Sequence, residues 1–523
     1  MESSGSRLML AILCDDCAEV AKLLDKGVDI NYIEPTGYSP LHAAIEKGNL
    51  EIVELLLKRN ANVNRFSQYV LPPLHLAVVC GRLDVLTLLI ACGASLETKS
   101  ISGLLPIHIA AQKGHLDIVE YFVDNKLYHV DACSSDLRTP LIWAVIEGQK
   151  EVAEYLIQCN ADVKKADVFD SIALHYACES NHEDIEIIEI FISKGSNLDA
   201  KTYSGETPLH ICVKQGYLSA ARRLIESGAR SYLERGASGN SPIHLAAQYN
   251  QTEMLEYFFK MGISVNFQTV DGYSLLHVAA IFGRSQMVTF LLQKGANIEG
   301  KIVSRGTTAL HLASSSNHCD VIQVLLNKRA DVMAIDKKGR IPLDFVYEHF
   351  NGDPNEIRRF DMKCSMELLV KHMLLFYKDI EVPTPSNFPS GTSIDEFKHN
   401  CQEEIEQIKT CLIGNTTVSL YTFLQALRNK NKLLNFLRNH ELQEEMKNIK
   451  QYIDKYPIYS SFLPMVLEEV HNGKERLLLL EKADTAMDII VPKLVLECKI
   501  HILQMLNNED LSSLIESVKV EFY

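Results

Sequence analysis

Apolar residues recur at helical spacing in short paired stretches along most of the chain. Leu50-Glu51-Ile52-Val53-Glu54-Leu55-Leu56-Leu57 predicts an amphipathic helix. Comparable stretches return at a near-constant interval, each preceded by a shorter apolar run around a histidine. The histidines are His42, His75, His108, His175, His210, His244, His277 and His311, with steps of 33, 33, 67, 35, 34, 33 and 34 residues. Ile142 occupies the expected place inside the double step. Such a fixed period marks a repeat architecture, so the internal repeat is the first thing to settle.

The surroundings of each anchor have the chemistry of a helix start. Ser39-Pro40-Leu41-His42-Ala43-Ala44, Thr207-Pro208-Leu209-His210, Ser241-Pro242-Ile243-His244 and Leu276-His277-Val278-Ala279-Ala280 repeat one theme. A hydroxyl caps free amides, proline at the first helical position forfeits no needed hydrogen bond, and small residues let helices approach closely. Six residues past each anchor stands Gly48, Gly81, Gly114, Gly148, Asn181, Gly216, Asn250, Gly283 or Asn317, types that tolerate the left-handed conformation closing a helix. A second apolar helix follows, and a turn such as Gly295-Ala296-Asn297-Ile298 ends the unit.

These residues resemble the ankyrin repeat, and the resemblance covers residues 5–350, about 10 units with degenerate caps. It implies an all-α fold: an ankyrin-repeat solenoid followed by a small helical carboxyl-terminal domain. Leu8 to Asn31 aligns with Leu41 to Asn64 and reads as an amino-terminal cap. Ile341-Pro342-Leu343-Asp344 opens a last unit whose second helix is delayed to about Ser365–Leu375. Residues 351–393 then form an insertion and a proline-rich connector, which cannot continue a helix. Helical spacing without the repeat signature returns over 394–412, 419–428, 442–453, 462–471 and 475–489.

Periodic histidines suggest a metal, but each lies in a separate unit, about 10 Å from the next, whereas ligands must converge within a few ångströms. In ankyrin-like units this histidine ties adjacent turns by hydrogen bonds. Cys14-Asp15-Asp16-Cys17 has no second pair and no nearby histidine, and is read as helix-end thiols. His115, His182 and His318, each after a helix-closing residue, are read as solvated turn residues. With no nucleophile elbow and no phosphate-binding glycine loop found, a non-enzymatic chain without cofactor, metal or catalytic residue is expected.

Composition narrows the partners. A 47% hydrophobic share with 23% charged residues is that of a folded protein. Net charge is -15, and residues 391–523 carry 20 acidic against 15 basic side chains, so neither part is basic and nucleic acid is not an expected ligand. No long uncharged apolar run predicts a membrane span, and the 13 scattered cysteines read as reduced core thiols, which leads to the expectation of a cytoplasmic or nuclear protein. The expected partner is therefore a protein, held on the concave face and on the finger-like turns. Aromatic residues Phe66, Tyr69, Phe169 and Tyr203 in those turns are the candidate anchors.

The last stretch carries a second pattern, Leu494-Val495-Leu496-Glu497-Cys498-Lys499-Ile500-His501-Ile502-Leu503-Gln504-Met505-Leu506, closing with Asp510-Leu511. It resembles the opening of an F-box over 494–511. Leu494, Glu497, Ile502, Leu503, Leu506, Asp510 and Leu511 fall in register, whereas Val495 replaces the family proline and Cys498 an aliphatic residue. An ankyrin array followed by a shortened F-box over 394–523 is similar to the PRANC proteins. That resemblance implies that the terminal segment docks a Skp-type adaptor of a cullin-RING ubiquitin ligase while the array selects the target. The residues themselves leave a second function open: a passive scaffold or competitive inhibitor of a signalling or transcription factor, whose tail leucines pack inside their own domain.

Overall fold

The computed structural model describes residues 4–490 except 36, 66–69, 181–184, 235, 237–238, 351–355, 378–392, 414–415, 417, 428–429, 440–441, 443–444, 446–447, 454, 457 and 460–462. After residue 490 it describes 508, 511 and 512. The Pro-rich connector and Asn181 fall outside the described residues. Two compact units form, residues 1–261 and 262–523.

In the first unit a short helix and a nine-residue helix alternate, as in Pro106–Lys113 with Leu116–Asp124 and Pro140–Ile146 with Lys150–Gln158. First helices pack on first helices of the next repeat, and second helices on second helices. The seventh residue of the second helices is buried in that packing: Leu23 is 7% exposed, and Leu56, Leu89, Phe122, Leu156, Phe191, Leu224 and Phe258 are all at 0%. Burying one such side chain contributes roughly 1.5–3 kcal/mol, which one helix pair alone could not gain. The first pair, Ser4–Leu13 and Cys17–Asp25, packs on the pair that follows, with Cys14 and Cys17 at the break between its two helices.

The predicted left-handed closures are present at Gly48 (φ 76°), Gly81 (67°), Gly114 (76°), Gly148 (70°), Gly216 (83°) and Asn250 (62°). Glycine has a second cause at several of them. A Cβ on Gly48 would meet Arg82, one on Gly81 the His115 ring, and one on Gly114 the Gln149 amide, in each case within 3 Å. The residue after each closure thus lies over the closure of the repeat before.

The second unit holds the pairs Leu275–Ile281 with Ser285–Gln293 and Ala309–Ser315 with Cys319–Asn327, then Pro342–Phe350 with the 21-residue helix Glu356–Phe376. In this last pair Asp344 takes the anchor position, and its carboxylate accepts from the Ile341 amide at 2.8 Å. Among the described residues the helices Ser393–Thr410, Leu420–Ala426, Lys430–Leu437, Ile449–Ile453 and Leu463–Ile490 follow. Phe423, Leu437, Tyr459, Val466 and Leu511 are among their buried core. The expected break between 471 and 475 is absent. Leu463–Ile490 runs through Gly473, where a Cβ would lie 2.5 Å from Leu437 Cδ1. Here glycine permits close helix contact; it does not end the helix. Lys328 and Arg329, at the end of the Cys319–Asn327 helix, pair with Glu468 and Glu469 of that long helix.

Candidate protein-binding surface

Each anchor histidine has its ring orientation set by its own helix start. The Ser39 amide donates to His42 Nδ1 at 3.3 Å, Leu105 to His108 at 3.1 Å, Thr207 to His210 at 3.2 Å and Ser274 to His277 at 3.1 Å. A backbone N–H only donates, so Nδ1 carries no proton and the ring must hold its proton on Nε2. Nε2 accordingly donates across the repeat boundary: His42 to the Leu71 carbonyl (3.0 Å), His108 to Ala132 (2.9 Å), His210 to Glu234 (3.1 Å) and His277 to Gly300 (3.0 Å). Both ring nitrogens serve structure. Burial, which penalises the cation, holds His108, His210 and His277 down to about 4.

Those carbonyls flank the fingers: Ala132, Glu234 and Gly300 precede theirs, and Leu71 follows its own. Each finger is a tight turn closed in both directions: the Ser100 amide donates to the Leu104 carbonyl, Asp167 to Ser171, Thr202 to Glu206 and Asp336 to Arg340. The fourth finger residue is left-handed, as at Gly103 (77°), Leu137 (61°), Asp170 (57°) and Gly205 (70°). Neighbouring tips are joined through the backbone. Ser135 donates to the Gly103 carbonyl at 3.0 Å, Val168 to Asp136 at 3.1 Å, and Tyr203 to Phe169 at 2.8 Å. In the second unit Lys337 donates likewise to Arg305 at 2.9 Å.

This chain of bonds points apolar side chains into solvent. Phe169 is 54% and Tyr203 85% exposed, and Ile101, Leu137 and Val168 share the row in the first unit; in the second unit, taken by itself, Val270 and Val303 are exposed. Among the aromatic candidates, Phe169 and Tyr203 are thus brought together on adjoining tips, while Phe66 and Tyr69 lie outside the described residues. Leu494, Glu497, Ile502, Leu503, Leu506 and Asp510 also lie outside them, and Leu511 is buried in the carboxyl-terminal helical core. His182 is outside too. His115 and His318 correct the expectation of solvated turns: both are half-buried over the preceding closure, and His318 Nε2 donates to the Ile281 carbonyl at 2.9 Å.

One cluster escaped sequence reading. Where Ile142 replaces histidine, Arg138 reaches from its finger to Asp167 (Nε to Oδ2, 3.2 Å) and to the Tyr176 hydroxyl (3.1 Å), which itself donates to Asp167 at 2.5 Å. The guanidinium lies 5.2 Å from the Trp143 ring centre and 5.3 Å from that of Tyr176. Burial and the Asp167 carboxylate push the Tyr176 hydroxyl up to about 12. Trp143 and Tyr176 each follow the anchor position and are partly exposed there, whereas Ala43, Leu76, Ile109, Leu245, Val278 and Leu312 at the same place are buried, so the pattern gave no signal of the cluster.

Stacked helix pairs with hydrogen-bonded fingers and exposed apolar tips define a repeat scaffold for protein binding. The family model for ankyrin repeats (3 copies) matches residues 8–100, 74–167, 163–235 and 243–336, more than half of the chain. The chain belongs to the ankyrin-repeat family. It is similar to two ankyrin repeat proteins of Fowlpox virus (strain NVSL). FPV024 is 26% identical over 293 residues, 54% of this chain and 45% of that protein. FPV222 is 24% identical over 458 residues, 74% of this chain and 60% of that protein. Ankyrin repeat and SOCS box protein 16 of Homo sapiens is 27% identical over 223 residues, 41% of this chain and 49% of that protein. The chain thus spans about half the length of the curated relatives it matches. Among the described residues, no helix is long and apolar enough to cross a membrane.

Proposed function

We propose that this chain is a recognition subunit that holds a target protein on its ankyrin fingers and presents it, through residues 494–511, to a Skp-type adaptor of a cullin-RING ubiquitin ligase. The observation that carries the target-binding half is the row of exposed apolar tips headed by Phe169 and Tyr203. Large apolar side chains held in solvent by a rigid, hydrogen-bonded turn cost little further entropy on binding. The adaptor half rests on the F-box-like register of Leu494, Glu497, Ile502, Leu503, Leu506 and Asp510. A relative named for a SOCS box beside its ankyrin repeats is compatible with an array coupled to a terminal box. The alignment to FPV222 covers 74% of the chain, more than the repeats at 8–336, so likeness extends past the array.

The test is binding of purified Skp-type adaptor to the intact chain and to a Leu503→Ala, Leu506→Ala variant. Binding by the first and loss by the second is expected; a chain that never binds the adaptor removes the ligase role. The competing scaffold reading draws on Leu511, which packs inside the helical core, and on Arg476 holding the Asn508 side chain at 2.9 Å. Under that reading the tail is a structural cap, and removing 491–523 leaves the abundance of the bound target unchanged.

A further inference from the structure

Around the Arg138 cluster the first unit combines aromatic surface with uncompensated negative charge. Phe169 and Tyr203 stand exposed on adjoining tips, and Trp143 and Tyr176 lie partly exposed on consecutive first helices. Most cations here are already engaged: Arg138 pairs with Asp136 and Asp167, Lys201 with Glu234 and Lys214 with Glu206, and Lys165 donates to the Asp131 carbonyl, while Lys164 is exposed ahead of the Asp167 finger. Three carboxylates are left over. Glu147 lies one turn beyond Trp143, Glu179 three residues beyond Tyr176, and Asp170 beside Phe169 in the finger turn, and all three are exposed. Residues three or four apart share a helix face, so Glu147 and Glu179 border the aromatic rings. None of the three is paired with a cation among the described residues; Glu147 accepts only the Gln112 amide, at 3.0 Å.

From this juxtaposition we infer that the fingers and first helices over residues 136–206 bind a cationic segment of a partner protein, its lysine or arginine side chains meeting Glu147, Asp170 and Glu179 and its apolar side chains covering Phe169 and Tyr203. The inference rests on the target-binding reading above and gives the target its chemical class. A cation also gains from the aromatic faces, which attract positive charge on their own account. An acidic segment would meet three unpaired carboxylates, and a nucleic acid would meet the same repulsion along its phosphates. Fixed aromatic tips and rim carboxylates divide the work: the rings anchor, and the carboxylates select and steer.

Two peptides of about ten residues, long enough to span three fingers, probe this directly: one alternating lysine with leucine, the other glutamate with leucine. Titration calorimetry with the full chain should show binding of the first and not the second, weakening as salt is raised. Glu147→Gln, Asp170→Asn and Glu179→Gln together should weaken it roughly tenfold, the worth of a few exposed ion pairs. Asp117→Asn, Glu151→Gln and Glu253→Gln, an equal loss of charge on exposed second-helix positions, should leave it within twofold. Equal weakening by both triple variants, or equal binding of both peptides, overturns the inference. Its failure is separable from that of the target-binding reading. A protein partner that the Phe169→Ala, Tyr203→Ala chain loses but the Glu147, Asp170 and Glu179 variant keeps would retain the fingers and discard the cationic ligand.

Discussion

At the residue scale, the anchor histidine shows how one side chain is set by its neighbour three positions earlier. Where that neighbour is Ser39, Thr207, Ser274 or Thr308, its amide and hydroxyl both serve Nδ1. At His75 the neighbour is Pro72, which has neither group, and Nδ1 is buried without a partner. An orphaned buried acceptor costs about 1–3 kcal/mol, while replacing proline returns about 0.4–1 kcal/mol of freedom to the unfolded chain. Pro72→Thr should therefore stabilise the protein by about 1 kcal/mol, because threonine fits the extended φ and ψ and restores both groups. Pro72→Ala, restoring the amide alone, should gain less. Denaturant midpoints with an unchanged slope check both, and a lower midpoint for Pro72→Thr refutes the account. The anchors and their caps were legible because their spacing recurs. The Arg138 cluster was not, because Arg138, Asp167 and Tyr176 meet only when consecutive fingers stack.

At the element scale, the closing glycines separate backbone conformation from contact. Gly283 and Gly295 end the two helices of one repeat, with φ of 67° and 86°. A Cβ on Gly295 would meet nothing within 4 Å, whereas one on Gly283 would lie 2.8 Å from the His318 ring. That ring cannot retreat freely, since Nε2 is held by the Ile281 carbonyl. Gly295→Ala should thus cost only the left-handed penalty, about 1–2 kcal/mol. Gly283→Ala should cost more, about 3 kcal/mol, by adding the lost hydrogen bond and the displaced ring. Equal costs in urea unfolding would show that contact plays no part. Sequence placed these elements well because the array is local, each helix touching near neighbours at a fixed offset. It failed at Gly473 for the opposite reason: the Lys430–Leu437 helix that needs the glycine is distant in sequence, and no period announces it. The fingers fell between these cases. Phe169 and Tyr203 could be picked out as aromatic residues in turns, but the backbone bond joining their tips is a property of the stack.

At the scale of the whole molecule, the buried histidines make stability depend on acid in a definite window. His108 and His210 in one unit and His277 in the other are held down to about 4, and His42, His75, His175 and His311 are also lowered, in each case chiefly by burial. Above the ordinary histidine value of about 6.5, both folded and unfolded chains leave these rings neutral, and the full stability is present. As pH falls below that value the unfolded chain takes up protons that the folded chain refuses, so stability is lost until the folded value near 4 is reached. Each histidine then contributes a slope of up to about 1.4 kcal/mol per pH unit. Lowered carboxylates such as Asp84 and Asp336 add the same sign of effect only at the acid end, below about 4. Glu404, raised by burial, binds its proton earlier in the folded state and offsets a part of the loss. Chemical unfolding between pH 7.5 and 4.5 should therefore show a steady decline beginning near 6.5, with a slope worth several protons. His277→Gln, removing one such ring, should make the second unit less stable at pH 7.5 and its decline shallower by about one proton. A profile flat down to pH 4.5 would mean that the rings are protonated without cost. The ties between repeats would then be something other than neutral imidazoles donating through Nε2 to the next repeat.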